Sequence, residues 1–233
     1  QLLIDANANV DANCRLGETA LMWTSKKGSI ECVQLLIDAN ANVNAKCEQG
    51  ETALIWAAKN GNAECMQLLI DANADIEAEH ERGTILMLAV EGGHTGCIKL
   101  LIDARANVNP RSRLGITLLG EAARKGHVGN LQLLLDAKAD VGMSPDRIAT
   151  TLIYAAWHED AGCLQLLINA KANVNAIDFY GETALMAAVE HEAIECVRVL
   201  VDAKADLDVK AGYYRRTALD RAVEECLPAC AQL

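Results

Sequence analysis

The chain has 233 residues, is 52% hydrophobic but only 3% aromatic, and carries a formal charge of −11 with a pI near 4.9. So few rings require a core of Leu, Ile, Val and Ala in thin layers, and the acidic balance argues against a nucleic-acid partner, which needs a basic face. No apolar run approaches the roughly 18 uninterrupted residues of a membrane helix.

In chain order the first predicted element is a helix over Gln1–Ala6, whose sequence returns almost unchanged at Gln34–Ala39. A threonine follows at Thr19 and recurs at Thr52, Thr84, Thr117, Thr150, Thr183 and Thr217, at intervals of 33, 32, 33, 33, 33 and 34 residues. Leucine stands two places after each one, from Leu21 to Leu219. A second marker keeps the same period: Leu36, Leu69, Leu101, Leu134, Leu167 and Leu200 each lie in a run resembling Leu-Leu-Ile-Asp-Ala. Two markers in register along the whole chain define a repeat.

Each unit reads as two short helices. The first opens on the threonine as amino-terminal cap, as in Thr52-Ala53-Leu54-Ile55-Trp56-Ala57-Ala58. Small pairs such as Ala57-Ala58, Ala122-Ala123 and Ala155-Ala156 let neighbouring helices approach closely, and Gly28, Gly61, Gly93 and Gly126 stop the helix. The second helix, as in Glu64–Ile70, places apolar residues at helical spacing. An Ala-Asn-Val-Asn-Ala tail and a polar tip then lead to the next unit. Helices of about 8–10 residues do not stand alone in water and need the units on either side.

This pattern resembles the ankyrin repeat, with its Thr-Pro-Leu-His opening, glycine stop and Gly-Ala-Asp-Val-Asn tail. The resemblance spans the chain and implies an all-α solenoid of paired antiparallel helices with inter-repeat loops or β-hairpin tips. It implies one array over 1–233: a partial repeat at 1–13, full repeats at 14–46, 47–79, 80–111, 112–144, 145–177 and 178–210, and a partial repeat at 211–233. The sequence departs from the pattern consistently. Alanine replaces the proline in Thr19-Ala20-Leu21 and its relatives. The tail glycine becomes Asn40, Asn73, Arg105, Lys138, Lys171 or Lys204, and Glu159 and Glu192 stand where a helix-stopping glycine belongs. Those two glutamates predict local strain. Both ends of the chain fall inside a second helix, so an excerpt of a longer protein is expected.

Nine cysteines raise the question of disulfides. Six share one repeat position (Cys32, Cys65, Cys97, Cys163, Cys196 and Cys230). Stacked helices stand about 8–10 Å apart, and a disulfide needs Cα atoms within about 7 Å, so the ladder reads as small buried hydrophobes. Cys14 and Cys47, at the tips, are the expected exposed thiols. Cys226 and Cys230 lack a second ligand pair for a metal. His158-Glu159 and His191-Glu192 do not complete a helical zinc motif, because Cys163 lies one place too far for the second histidine and Glu195 is not histidine. Gly92–Gly96 lacks the Lys-Ser/Thr ending of a phosphate loop. Neither a cofactor, a small-molecule substrate nor an enzymatic reaction is expected.

Binding remains. The resemblance implies recognition through the tips and the exposed face of the first helices. Basic residues reach that surface early (Arg15, Lys26, Lys27 and Lys59) and again at Arg111, Arg113, Arg124, Lys125 and Arg147. The latter set either attracts an acidic segment or offsets surrounding carboxylates. Five of the eight aromatic residues gather late, at Trp157, Phe179, Tyr180, Tyr213 and Tyr214. They read as a partner-binding cluster, against self-packing or cover for a missing repeat. Trp23, Trp56 and Tyr154 share a position assigned to the core. Glu121 occupies the same position and is expected to reach solvent. The function expected is an intracellular, cytoplasmic scaffold or adaptor for a protein partner. The alternatives are a regulatory array of a larger enzyme or channel and a structural subunit of an assembly.

Overall fold

The computed structural model of the chain describes residues 2–110, 117–141, 145–211 and 215–224, with 145–150 described by backbone only. They form helices joined by short turns, in two compact units, Gln1–Arg113 and Leu114–Leu233. In the first unit, α1 (Leu2–Asp5) precedes three helix pairs: α2 (Ala20–Lys27) with α3 (Ile30–Asp38), α4 (Ala53–Asn60) with α5 (Ala63–Asp71), and α6 (Ile85–Glu91) with α7 (Thr95–Asp103). A two-stranded antiparallel hairpin, β1 (Glu79–His80) and β2 (Gly83–Thr84), forms the tip before α6. The second unit pairs α8 (Leu118–Arg124) with α9 (Val128–Asp136), α10 (Pro145–Trp157) with α11 (Ala161–Asn169), and α12 (Ala184–Glu190) with α13 (Ile194–Asp202), and closes on α14 (Ala218–Glu224).

The repeated threonine does the work expected of it. Thr19, Thr52, Thr84, Thr117, Thr183 and Thr217 accept the backbone N–H three residues on, at 3.0–3.4 Å, satisfying an otherwise orphaned donor. The fifth opening differs: α10 starts at Pro145, five residues before Thr150, on a residue whose fixed φ suits a first helical turn. Gly28, Gly61, Gly93 and Gly126 adopt φ of +65° to +73°. Glu159 and Glu192 are held in the same left-handed region, at +55° and +54°, which is the strain expected of those substitutions.

Within each unit, first helices stack on first helices and second on second. The leucine two places after the threonine is buried at Leu21, Leu54, Leu86, Leu119, Leu152 and Leu185, whereas Leu219 is exposed. Each buried leucine contributes about 1.5–3 kcal/mol. The alanine pairs are fully buried, as close helix approach requires. Side chains also bridge successive repeats. Asp11 accepts the N–H of Asn42, Asn44 that of Asp75, Glu77 that of Asn107, and Asn175 that of Asp206, at 2.7–2.9 Å.

The expectations for the cysteines need two corrections, one in the ladder and one at the tips. Cys65, Cys97, Cys163 and Cys196 are buried, and burial pushes their thiols up, to about 11 for Cys97 and Cys196. Cys32 is exposed instead. The position looks toward the preceding repeat, as the carboxylates of Glu159 and Asp160 near Cys196 show, and before Cys32 that neighbour is only the four-residue α1. Cys47, expected at the surface, is buried, because the preceding tip lies on it: Leu16 accepts the N–H of Glu48 at 2.9 Å, and Gly17 approaches the Cys47 backbone. Cys14 is exposed as expected, its thiol donating to Glu18 at 3.3 Å. Cys226 and Cys230 lie outside the described residues. Thiol titration of the native chain should therefore label Cys14 and Cys32 first and spare Cys47 and the buried four. Rapid labelling of Cys97 or Cys163 without unfolding would contradict this packing.

Candidate partner-binding faces

The helical stagger turns two repeat positions toward one face of each first helix, four and seven residues after the threonine. They are neighbours on the helix surface. The resulting pairs are Trp23–Lys26, Trp56–Lys59, Leu88–Glu91, Glu121–Arg124, Tyr154–Trp157, Ala187–Glu190 and Arg221–Glu224.

In the first unit this column is aromatic and basic. Trp23 and Trp56 meet edge to face, with ring centroids 5.4 Å apart. The Lys26 ammonium stands over both rings, 4.9 Å from Trp23 and 4.6 Å from Trp56. Trp56 is buried but Trp23 is 42% exposed, which corrects its assignment to the core: the rings stack, and Trp23 is the outer one. Beneath them lies Glu51, 4% exposed. It accepts from the Trp56 indole at 2.6 Å, from Lys59 at 2.7 Å and from His80 Nε2 at 3.0 Å. Burial alone would push its carboxyl up. The hydrogen bonds from Lys59 and Trp56 and the charges of Lys59 and His80 outweigh this and hold it below the ordinary carboxylate value. His80, on the β1–β2 hairpin tip, is thereby tucked under the repeat before it.

In the second unit the column begins with Glu121 and Arg124. Glu121 is buried, not solvent-reaching as expected, because Arg124 lies beside it on the next turn and donates through Nε at 2.9 Å and through Nη2. Arg124 is therefore committed to an internal carboxylate, whereas Lys125, at the carboxyl end of α8, is exposed. Tyr154 is half-buried, and Trp157, 44% exposed, rests on it at 5.7 Å and on the His191 ring at 6.2 Å.

The next tip is a tight turn. Asp178 accepts the N–H groups of Tyr180 and Glu182 at 2.8 and 2.9 Å, and Gly181 takes a φ of +79°. This turn lifts Phe179 and Tyr180 into solvent, 93% and 75% exposed, their rings edge to face at 5.6 Å. Among the described residues no ring contact joins this pair to Trp157. Glu182 and Glu190 both pair with Arg221 of α14, at 2.5 and 3.5 Å. Of the other expected partner-binding residues, Arg111, Arg113, Tyr213 and Tyr214 lie outside the described residues, as does the side chain of Arg147. No group of three metal-ligating side chains occurs among the described residues, and no described helix is long and apolar enough to cross a membrane.

Comparison with known proteins agrees with this architecture. The sequence pattern described as "Ankyrin repeats (3 copies)" matches residues 1–80, 77–144 and 149–233. The crystal structure of the human ASB11 ankyrin repeat domain is similar, with a TM-score of 0.79 at 22% identity, over 91% of this chain and 98% of that one. At that identity the likeness is one of fold. No curated protein matches the sequence.

Proposed function

Because the chain belongs to the ankyrin repeat family, whose repeats are in general protein-interaction modules, we propose that it is a non-catalytic scaffold or adaptor holding a protein partner against its first-helix faces and tips. The same reading takes residues 1–233 as one array and assigns it to the cytoplasm.

The observation that carries the proposal is the exposure of large rings in a chain that has few. Phe179, Tyr180 and Trp157 are 93%, 75% and 44% exposed, while the described core holds Trp56 as its one ring among mainly aliphatic side chains. Rings bury much area with few rotatable bonds, which is why they dominate binding hot spots. Lys125 adds an exposed cation, and the proposal extends to Arg111, Arg113, Arg147, Tyr213 and Tyr214, with Arg124 acting mainly through Glu121.

Single alanine substitutions at Trp157 and Tyr180 test it by partner affinity and unfolding together. Binding should weaken by about 2 kcal/mol or more with little change in stability. A loss of stability with affinity intact would make the rings structural.

A further inference from the structure

The basic face of the first unit is a separate feature from the ring cluster of the second. Lys26 and Lys27 are exposed at the end of α2, and neither has a carboxylate within ion-pair distance among the described residues. Glu51, the carboxylate beneath the two rings, is buried and already shared by Lys59, Trp56 and His80. Arg15 and Lys46 are exposed on the adjacent tips. The carboxylates of the flanking tips are Glu18, which accepts from Cys14, exposed Glu48 and, on the hairpin tip beside α4, exposed Glu79 and Glu81, so the cations concentrate at the α2 end of the face. In a chain of charge −11 this is a local cationic surface, and its central ammonium is parked on two indole rings.

We propose that the α2–α4 face is a docking site for an acidic peptide segment of a partner, with a carboxylate meeting Lys26 and a neighbouring apolar side chain covering the exposed ring of Trp23. Two physical features favour this occupant. The cation–π contacts hold the Lys26 chain in place before binding, so less rotamer freedom is lost when a carboxylate arrives. The exposed edge of Trp23 supplies apolar area beside the charge, which a polyanion without side chains does not use.

The probe is a fluorescein-labelled peptide of alternating acidic and leucine residues, titrated by anisotropy against the 233-residue chain while tryptophan emission is followed. Saturable binding is expected, with a change in emission and a loss of about tenfold in affinity for Lys26→Glu. Lys26→Arg, which keeps both the charge and the stacking, should retain binding. Lys99→Glu, on the second helix α7, should bind as the parent does. Unfolding curves for each variant establish that the fold is kept. Absence of saturable binding, equal binding by Lys26→Glu, or an equal loss in Lys99→Glu would overturn the proposal. Inorganic polyphosphate that binds as tightly as the peptide and depends equally on Lys26 would overturn it too, by showing a site for polyanions in general.

Discussion

Replacing Glu51 with glutamine should destabilise the first unit by about 2–3 kcal/mol at neutral pH, because it removes a buried charge whose three partners stay behind. Lys59 and His80 face the new amide with donors of their own, and one of its two positions must now present an N–H to them. The pH dependence follows from the sign of the shift. The folded-state pKa of Glu51 lies below its ordinary value of 4.5. Its contribution is therefore complete above 4.5 and is lost as the pH falls through the lower folded value. Urea unfolding followed by tryptophan emission in a Trp157→Phe background, which leaves only the first unit's Trp23 and Trp56, should give a sloping stability curve from neutrality into that acid range. Glu51→Gln should be weaker at neutrality and flatter in the acid range. Identical curves would show that Glu51 is a passive neighbour of Trp56.

The second large effect is expected at Glu121 and Arg124. Arg124→Ala leaves a buried carboxylate without its guanidinium and should cost the second unit about 2–3 kcal/mol, less than for a fully buried pair because Arg124 itself is partly exposed. Adding Glu121→Leu should recover most of that loss. Other repeats hold Trp23, Trp56, Leu88 or Tyr154 at this position, so an apolar side chain suits the site, and replacing a buried ion pair by packed hydrophobes is often neutral. Non-additivity in this double-mutant cycle, read by thermal unfolding, measures the coupling. Additive losses would mean that Glu121 is held by something other than Arg124. The cycle also bears on the basic patch, since a charge reversal at Arg124 would disturb folding before it disturbed binding. Lys125 is the cleaner position at which to test an acidic partner.

These contrasts show where sequence reasoning reaches. The caps, the glycine stops and the strained Glu159 and Glu192 were legible because each depends on a few adjacent residues. The burial of Cys47 and exposure of Cys32 were not, because one repeat position is covered or bare according to what the neighbouring unit places on it. The same holds for Trp23, which shares its position with buried Trp56 but is the outer ring of the stack. Glu121 was misread because a carboxylate at an apolar position was judged without its neighbour one turn on. Aligning the fourth and seventh residues after each threonine exposes both Glu121–Arg124 and Tyr154–Trp157 as facing pairs. The Glu51–His80 contact had a weaker signal, a glutamate before the threonine at Glu18, Glu51 and Glu182, and no local rule couples it to a histidine in the next tip.

The central claim is that a protein partner lies against the first-helix and tip surface of the second unit. A photo-cross-linking amino acid placed at Phe179, at Trp157 and, separately, at exposed Gln165 on the second helix α11 tests it most directly. The account predicts that Phe179 and Trp157 both capture the same protein and that Gln165 does not. Adducts from Gln165 with none from Phe179 or Trp157 would contradict it.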